Sequence, residues 1–140
     1  AVLLSIKPKY ADLILSGSKR VELRRSWPSN DIGVMVLYSS APVQRLVGVA
    51  YVDRLEERAI DGLWDLANDL GGGVTREELN EYFAGKSTAF GVIIERSERA
   101  DVAVSPKILF PDFIPPQSFQ YLTATEFGRV MRAIFPNSVA

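Results

Sequence analysis

The chain has 140 residues, with 16 Lys and Arg against 17 Asp and Glu, and contains neither cysteine nor histidine. The length suits one domain, residues 1–140, with a real core; the missing thiols remove disulfides and Cys-ligated zinc and fit a cytoplasmic protein, while the missing imidazoles remove Ser-His-Asp triads, zincin sites and histidine-based ribonuclease chemistry. A net charge of −1 disfavours a generic polyanion binder, the apolar runs are too short to span a bilayer, and no signal-peptide pattern opens the chain, so no membrane partner is expected.

Residues 2–6 read as a buried strand. Pro8 suits a first helical position, where its missing N–H costs nothing, and Tyr10, Leu13 and Ile14 form one apolar helical face that ends at Gly17. Residues 19–24 alternate as a second strand, with Val21 and Leu23 facing the core and Arg20, Glu22 and Arg24 facing the other way. Ser26 to Asp31 is a turn, Gly33 to Ser39 a β-rich run, and 44–55 a long strand beyond Ala41-Pro42. Residues 60–70 predict a helix carrying Leu63, Trp64, Ala67 and Leu70 on one face, stopped by Gly71-Gly72-Gly73. Thr75 and Glu78 fit a capping box for a helix through Phe83, closed by Gly85. Strands at 87–95 and 101–105 follow, then an irregular segment from Pro106 to Gln117 with four prolines. Thr123 and Glu126 cap a last amphipathic helix with Phe127, Val130, Met131 and Ile134. Strands dominate the centre and turns are short, which points to a small mixed barrel plugged by helices rather than a doubly wound parallel sheet.

Charge is unevenly spread. Residues 1–25 hold Lys7, Lys9, Lys19, Arg20, Arg24 and Arg25 against Asp12 and Glu22, whereas residues 53–81 hold nine carboxylates against three arginines. A basic pole beside an acidic flank fits a local anionic ligand, or simply a solvated surface. Within the basic pole, Gly17 to Arg24 has the form G-x-K-x-x-E-x-R. Glu22 and Arg24 lie two apart on a strand and so share a face. A Lys, a carboxylate and an Arg on one wall can grip a phosphate while bonding a base edge, or can form an ordinary structural ion pair.

The segment LLSIKPKYADLILSGSKRVELRR resembles the N-terminal motif of the ASCH domain, of the PUA-like superfamily. The likeness continues through VLYSSAPVQRLVGVAYV, LWDLANDLGGGVTREELNEYFAGKSTAFGVII and PPQSFQYL. It implies an α+β fold, a PUA-like small β-barrel with helices covering its ends, and a cleft that binds RNA or other nucleic acid. Carried over by position, Lys19, Glu22 and Arg24 match the family's charged cluster, and Tyr38-Ser39-Ser40 and Gln117-Ser118 match blocks expected near the same cleft. Some members deacylate N4-acetylcytidine with a Lys, Thr and Glu set. Here the Lys falls at Lys19, but the Thr falls at Glu22 and the Glu near Gly72, so that mechanism is not expected.

Further candidates come from local chemistry. Lys7 and Lys9 oppose the dipole at a helix start, which points to a bound anion at Lys7. Lys86 either adds a phosphate contact or complements a helix C-terminus, Gln117 either reads a base or caps backbone, and Trp27 either stacks on a base or lids the core. The expected function is RNA binding, with Lys7, Lys19, Glu22, Arg24, Tyr38, Ser39, Ser40, Lys86, Gln117 and Ser118 at the ligand and RNA or a modified nucleoside as partner. The alternative is a metal-independent hydrolase or ribonuclease using Lys19 and Glu22. No cofactor or metal is expected.

Overall fold

The computed structural model describes residues 1–28 and 31–138. Its strands are β1 (Val2–Ile6), β2 (Val21–Arg24), β3 (Val34–Ser39), β4 (Arg45–Ala59), β5 (Thr88–Val104) and β6 (Phe119–Tyr121). Its helices are α1 (Pro8–Leu15), α2 (Ile60–Leu70), α3 (Arg76–Tyr82), α4 (Pro106–Leu109) and α5 (Ala124–Ile134). The strands form one mixed sheet in the order β2–β5–β4–β3–β1–β6, with β1 parallel to β3 and every other pairing antiparallel.

β1 reads as a continuous apolar run because both of its faces are covered. Val2, Leu4 and Ile6 pack with Ala11 and Ile14 of α1, while Leu3 packs with Val36, Val49 and α5 residues Val130 and Ile134. A third cluster joins Val21 and Leu23 of β2 to Leu63, Leu66 and Ala67 of α2 and to Leu79 and Phe83 at α3. Each of α3 and α5 begins with a complete capping box, Thr75 with Glu78 and Thr123 with Glu126, as the sequence spacing predicts.

The long β4–β5 pair shifts register around Leu46–Gly48 and again between Tyr51 and Arg54. Such irregularities bend and twist a strand pair. The sheet curves into a half-barrel with five helices, an α+β fold of the class expected, with β2 and β6 as its two edges. Side chains, not strand pairing, cross the open side: Arg24 on β2 reaches the Ser5 carbonyl of β1 and the Ser118 hydroxyl just before β6.

Several boundaries differ from the sequence reading. β2 starts at Val21, because the N–H groups of Lys19 and Arg20 bond instead to the carbonyls of Leu13 and Leu70. The two strands expected at 87–95 and 101–105 are one strand, β5, paired along β4. The proline-rich segment contains α4, begun by Pro106, and β6 was not expected because three residues are too few to show a period. Residues 29 and 30 of the expected Ser26–Asp31 turn lie outside the described residues. Trp27 packs on the first core, 6.1 Å from the Phe119 ring, and Trp64 lies against the third. Among the described residues no helix is long and apolar enough to cross a membrane.

Candidate functional site

Three charged side chains are buried together where the half-barrel stays open. Lys19, Glu22 and Arg24 are only 2%, 6% and 7% exposed. Gly17, at φ +84°, turns the chain out of α1, and Lys19 follows two residues later. The Lys19 ammonium donates to the Gly72 carbonyl. That carbonyl belongs to the three-glycine run after α2, which lies tight against the Lys19 segment. Gly71 has φ +70°, and a Cβ there would meet the Ser18 carbonyl oxygen at 2.1 Å, so only glycine fits.

Glu22 sits between the two cations. Arg24 donates to its Oε2 from Nε at 3.0 Å and approaches the same oxygen from Nη2 at 2.7 Å. Lys19 Nζ stands 3.5 Å from Oε1. Arg24 also donates from Nη1 to Ser118 Oγ at 3.3 Å and from Nη2 to the Ser5 carbonyl at 3.1 Å. Buried charges need partners of this kind. With two cations on one carboxylate, the group keeps one uncompensated positive charge. Burial lowers the Lys19 pKa, nearby Arg24 lowers it further, and Glu22 only partly opposes them.

Above these three opens a cleft of about 580 Å³. Ile6, Leu23, Val74 and Leu79 supply apolar wall, and Tyr10 and Tyr82 add aromatic surface. Tyr10 lies 5.2 Å from Lys19 Nζ. Its pKa is raised by burial and by the carboxylates of Glu78 and Glu22. Arg25 fastens the outer wall to the sheet, donating to the carbonyls of Tyr82 at 2.6 Å and Ala84 at 3.3 Å beyond the end of α3.

Of the residues predicted from sequence, Lys7, Lys19, Glu22, Arg24, Ser40 and Gln117 line this cleft, and Ser118 braces Arg24 from behind. Tyr38, Ser39 and Lys86 do not line it. Strand alternation turns Tyr38 to the opposite face, its ring 5.4 Å from Phe113. Ser39, the last residue of β3, is buried, and Lys86 stands exposed in the segment after α3. Ser5, Tyr10, Glu78, Glu81 and Tyr82 line the cleft without having been singled out. Tyr10 read as core and Glu78 as a capping residue. Glu78 does cap, and the Thr75 backbone N–H holds its pKa low, yet it also reaches the cleft mouth.

The ASCH domain model matches residues 4–88, more than half of the chain and all of the segment that builds the charged floor. The chain belongs to the ASCH domain family. The ASCH domain-containing ribonuclease of Zymomonas mobilis subsp. mobilis is 28% identical over 131 residues, covering 91% of this chain and 88% of its own. The crystal structure of ASCH from Zymomonas mobilis superposes with a TM-score of 0.85 at 24% identity, covering 93% of this chain and 92% of that one. A serine-to-alanine mutant of the same Zymomonas protein gives 0.84 at 23% identity, with 94% of each chain covered. The half-barrel is thus the ASCH fold.

Proposed function

We propose that this ASCH domain, acting as one unit over 1–140, binds RNA in the cleft above Lys19, Glu22 and Arg24. The observation that carries this reading is the buried Lys-Glu-Arg group at the floor of an open cleft, with one positive charge left over. Excess buried cation beside an open hollow suits a phosphate oxygen or a base acceptor. Lys7 and Gln117 at the rim add a further cation and an amide to hold the strand. A cytoplasmic setting belongs to the proposal and rests on the cysteine-free sequence. The test is the affinity of single-stranded RNA for wild type, Lys19→Ala and Arg24→Ala, with circular dichroism confirming that each variant folds. Weaker binding by both folded variants is expected. Equal affinity in all three, or none in wild type, contradicts the reading.

A second reading is favoured by one observation, the Zymomonas relative named as a ribonuclease. In it, Glu22 takes the proton of a 2′-hydroxyl, whose oxygen attacks the adjacent phosphorus. The P–O5′ bond breaks, leaving a 2′,3′-cyclic phosphate, and the departing 5′ oxygen takes up a proton from Lys19. Lys19 and Arg24 stabilise charge on the five-coordinate phosphorus. The lowered pKa of Lys19 brings its proton closer to transfer near neutral pH. Cleavage of labelled RNA that persists in EDTA and is lost in Glu22→Gln supports this. Binding without turnover leaves RNA binding alone.

A further inference from the structure

We infer, building on that RNA-binding reading, that the aromatic patch of Trp27, Phe119 and Tyr121, outside the cleft, is a second subsite on which unpaired nucleotides flanking the cleft-bound part of the RNA stack their bases. The three rings form one series. The centroids of Trp27 and Phe119 lie 6.1 Å apart, and those of Phe119 and Tyr121 lie 6.0 Å apart. Alternation along β6 puts Phe119 and Tyr121 on one face, opposite Leu4 and Val2 of β1. Trp27 and Phe119 are partly buried against the first core, whereas Tyr121 is 51% exposed. Rings held in place by packing lose little freedom when a base settles on them. A stacked strand advances about 3.4 Å per nucleotide. The wider spacing of these rings suits bases drawn apart, each stacking on protein rather than on its neighbour.

The patch is continuous with the cleft, which favours RNA as its occupant. Gln117 lines the cleft, Ser118 accepts from Arg24, and Phe119 follows directly. From the opposite edge of the sheet, Trp27 lies three residues beyond Arg24. A strand leaving the cleft past Arg24 therefore meets Phe119 and its two neighbours. The backbone adds donors. β6 is an edge strand. The Ser118 carbonyl accepts from the Ser5 N–H, and the Leu122 N–H donates to the Ala1 carbonyl. Strand alternation thus turns the N–H groups of Phe119 and Tyr121 away from β1, toward a ribose or phosphate oxygen. Residues 117–123 carry no charged side chain, so stacking here adds affinity without adding salt dependence. Among the described residues, Asp31 and Asp53 stand with Arg54 in the hollow on the other side of Trp27. Their net negative charge turns the phosphodiester chain away from that side.

The experiment measures binding of an oligouridylate dinucleotide and octanucleotide to the full chain and to Tyr121→Ala, a change at an exposed position. Tyr121→Ala should weaken octanucleotide binding about fivefold or more and leave dinucleotide binding unchanged. The salt slope for the octanucleotide should be the same in both proteins, because the lost contact carries no charge. A second readout uses Trp64→Phe, which leaves Trp27 as the sole tryptophan. The octanucleotide should quench its fluorescence and the dinucleotide should not. Equal octanucleotide affinity in wild type and Tyr121→Ala, with no quenching of Trp27, overturns the inference and leaves RNA binding in the cleft standing. A dimer of wild type that Tyr121→Ala dissociates, with octanucleotide affinity unchanged, assigns the patch to self-association and overturns it too. Failure of wild type to bind either oligonucleotide removes the underlying reading as well.

Discussion

Lys19 Nζ stands 3.5 Å from Glu22 Oε1 on the floor of a cleft open to solvent, and both side chains are almost fully buried. The pair spans the change from turn to strand, so the geometry of Gly17 and the start of β2 fixes it. Arg24 occupies the other carboxylate oxygen and ties it across the open side of the half-barrel to Ser5 and Ser118. One cluster thus both braces the fold and lines the cleft, which shapes what each substitution should do.

Removing Glu22 leaves two buried cations facing each other. Breaking a buried ion pair in this way costs about 3–5 kcal/mol. Glu22→Ala should therefore lower stability by roughly that amount in urea denaturation. A loss below about 1 kcal/mol would show that solvent reaches the group far more freely than its burial suggests.

Burial lowers the Lys19 pKa in the folded chain below its ordinary value of 10.5. Between the lowered value and 10.5, the unfolded chain binds a proton that folded Lys19 has released, so stability rises with pH across that window. Below the window both states are protonated and the cost of holding a buried ammonium is fully present. Lys19→Met cannot titrate and should lack the rise. Urea midpoints of both proteins, followed upward from neutral pH, should show the wild type gaining on the variant. A constant difference would contradict the burial effect.

Two capping boxes allow fold and site to be separated. Thr123→Ala should destabilise by about 0.5–2 kcal/mol through loss of the α5 cap, with RNA affinity unchanged, because α5 packs on the sheet face away from the cleft. Thr75→Ala removes the matching cap of α3, which carries Glu78, Leu79, Glu81 and Tyr82 in the cleft wall. It should weaken RNA binding as well as thermal stability. Equal RNA affinity in the two variants would place α3 outside the binding surface.

Among the described residues, three cations line the cleft, Lys7, Lys19 and Arg24. For single strands the salt slope of log K is about −0.7 per neutralised phosphate, so three contacts set a limit near roughly −2. Titration of RNA binding over increasing salt should give a slope no steeper than this. A markedly steeper slope would point to a larger basic surface elsewhere.

Local signals carried much of the sequence reading. Pro8, the Gly71–Gly73 run and the two Thr-x-x-Glu boxes mark helix ends through side-chain chemistry that needs no tertiary partner, and the structure puts helix ends there. The G-x-K-x-x-E-x-R spacing placed Lys19, Glu22 and Arg24 close together for the same reason, since strand alternation sets Glu22 and Arg24 on one face. What escaped depends on distant pairing. Tyr10 belongs to the apolar face of α1, and only the packing of α3 opposite shows that it borders a hollow. Tyr38 precedes two serines and read as part of a turn, but its parity within β3 sends it to the α5 side. The joining of β5 into one strand follows from its partner β4, which no local window reveals.

The most direct test of the account is an amide chemical-shift map of the labelled protein titrated with single-stranded RNA. The largest changes should fall on Lys7, Tyr10, Lys19 to Arg24, Ser40, Glu78 to Tyr82 and Gln117, the residues around the cleft. Changes centred instead on the α5 side, around Phe113, Phe127 and Met131, would contradict it.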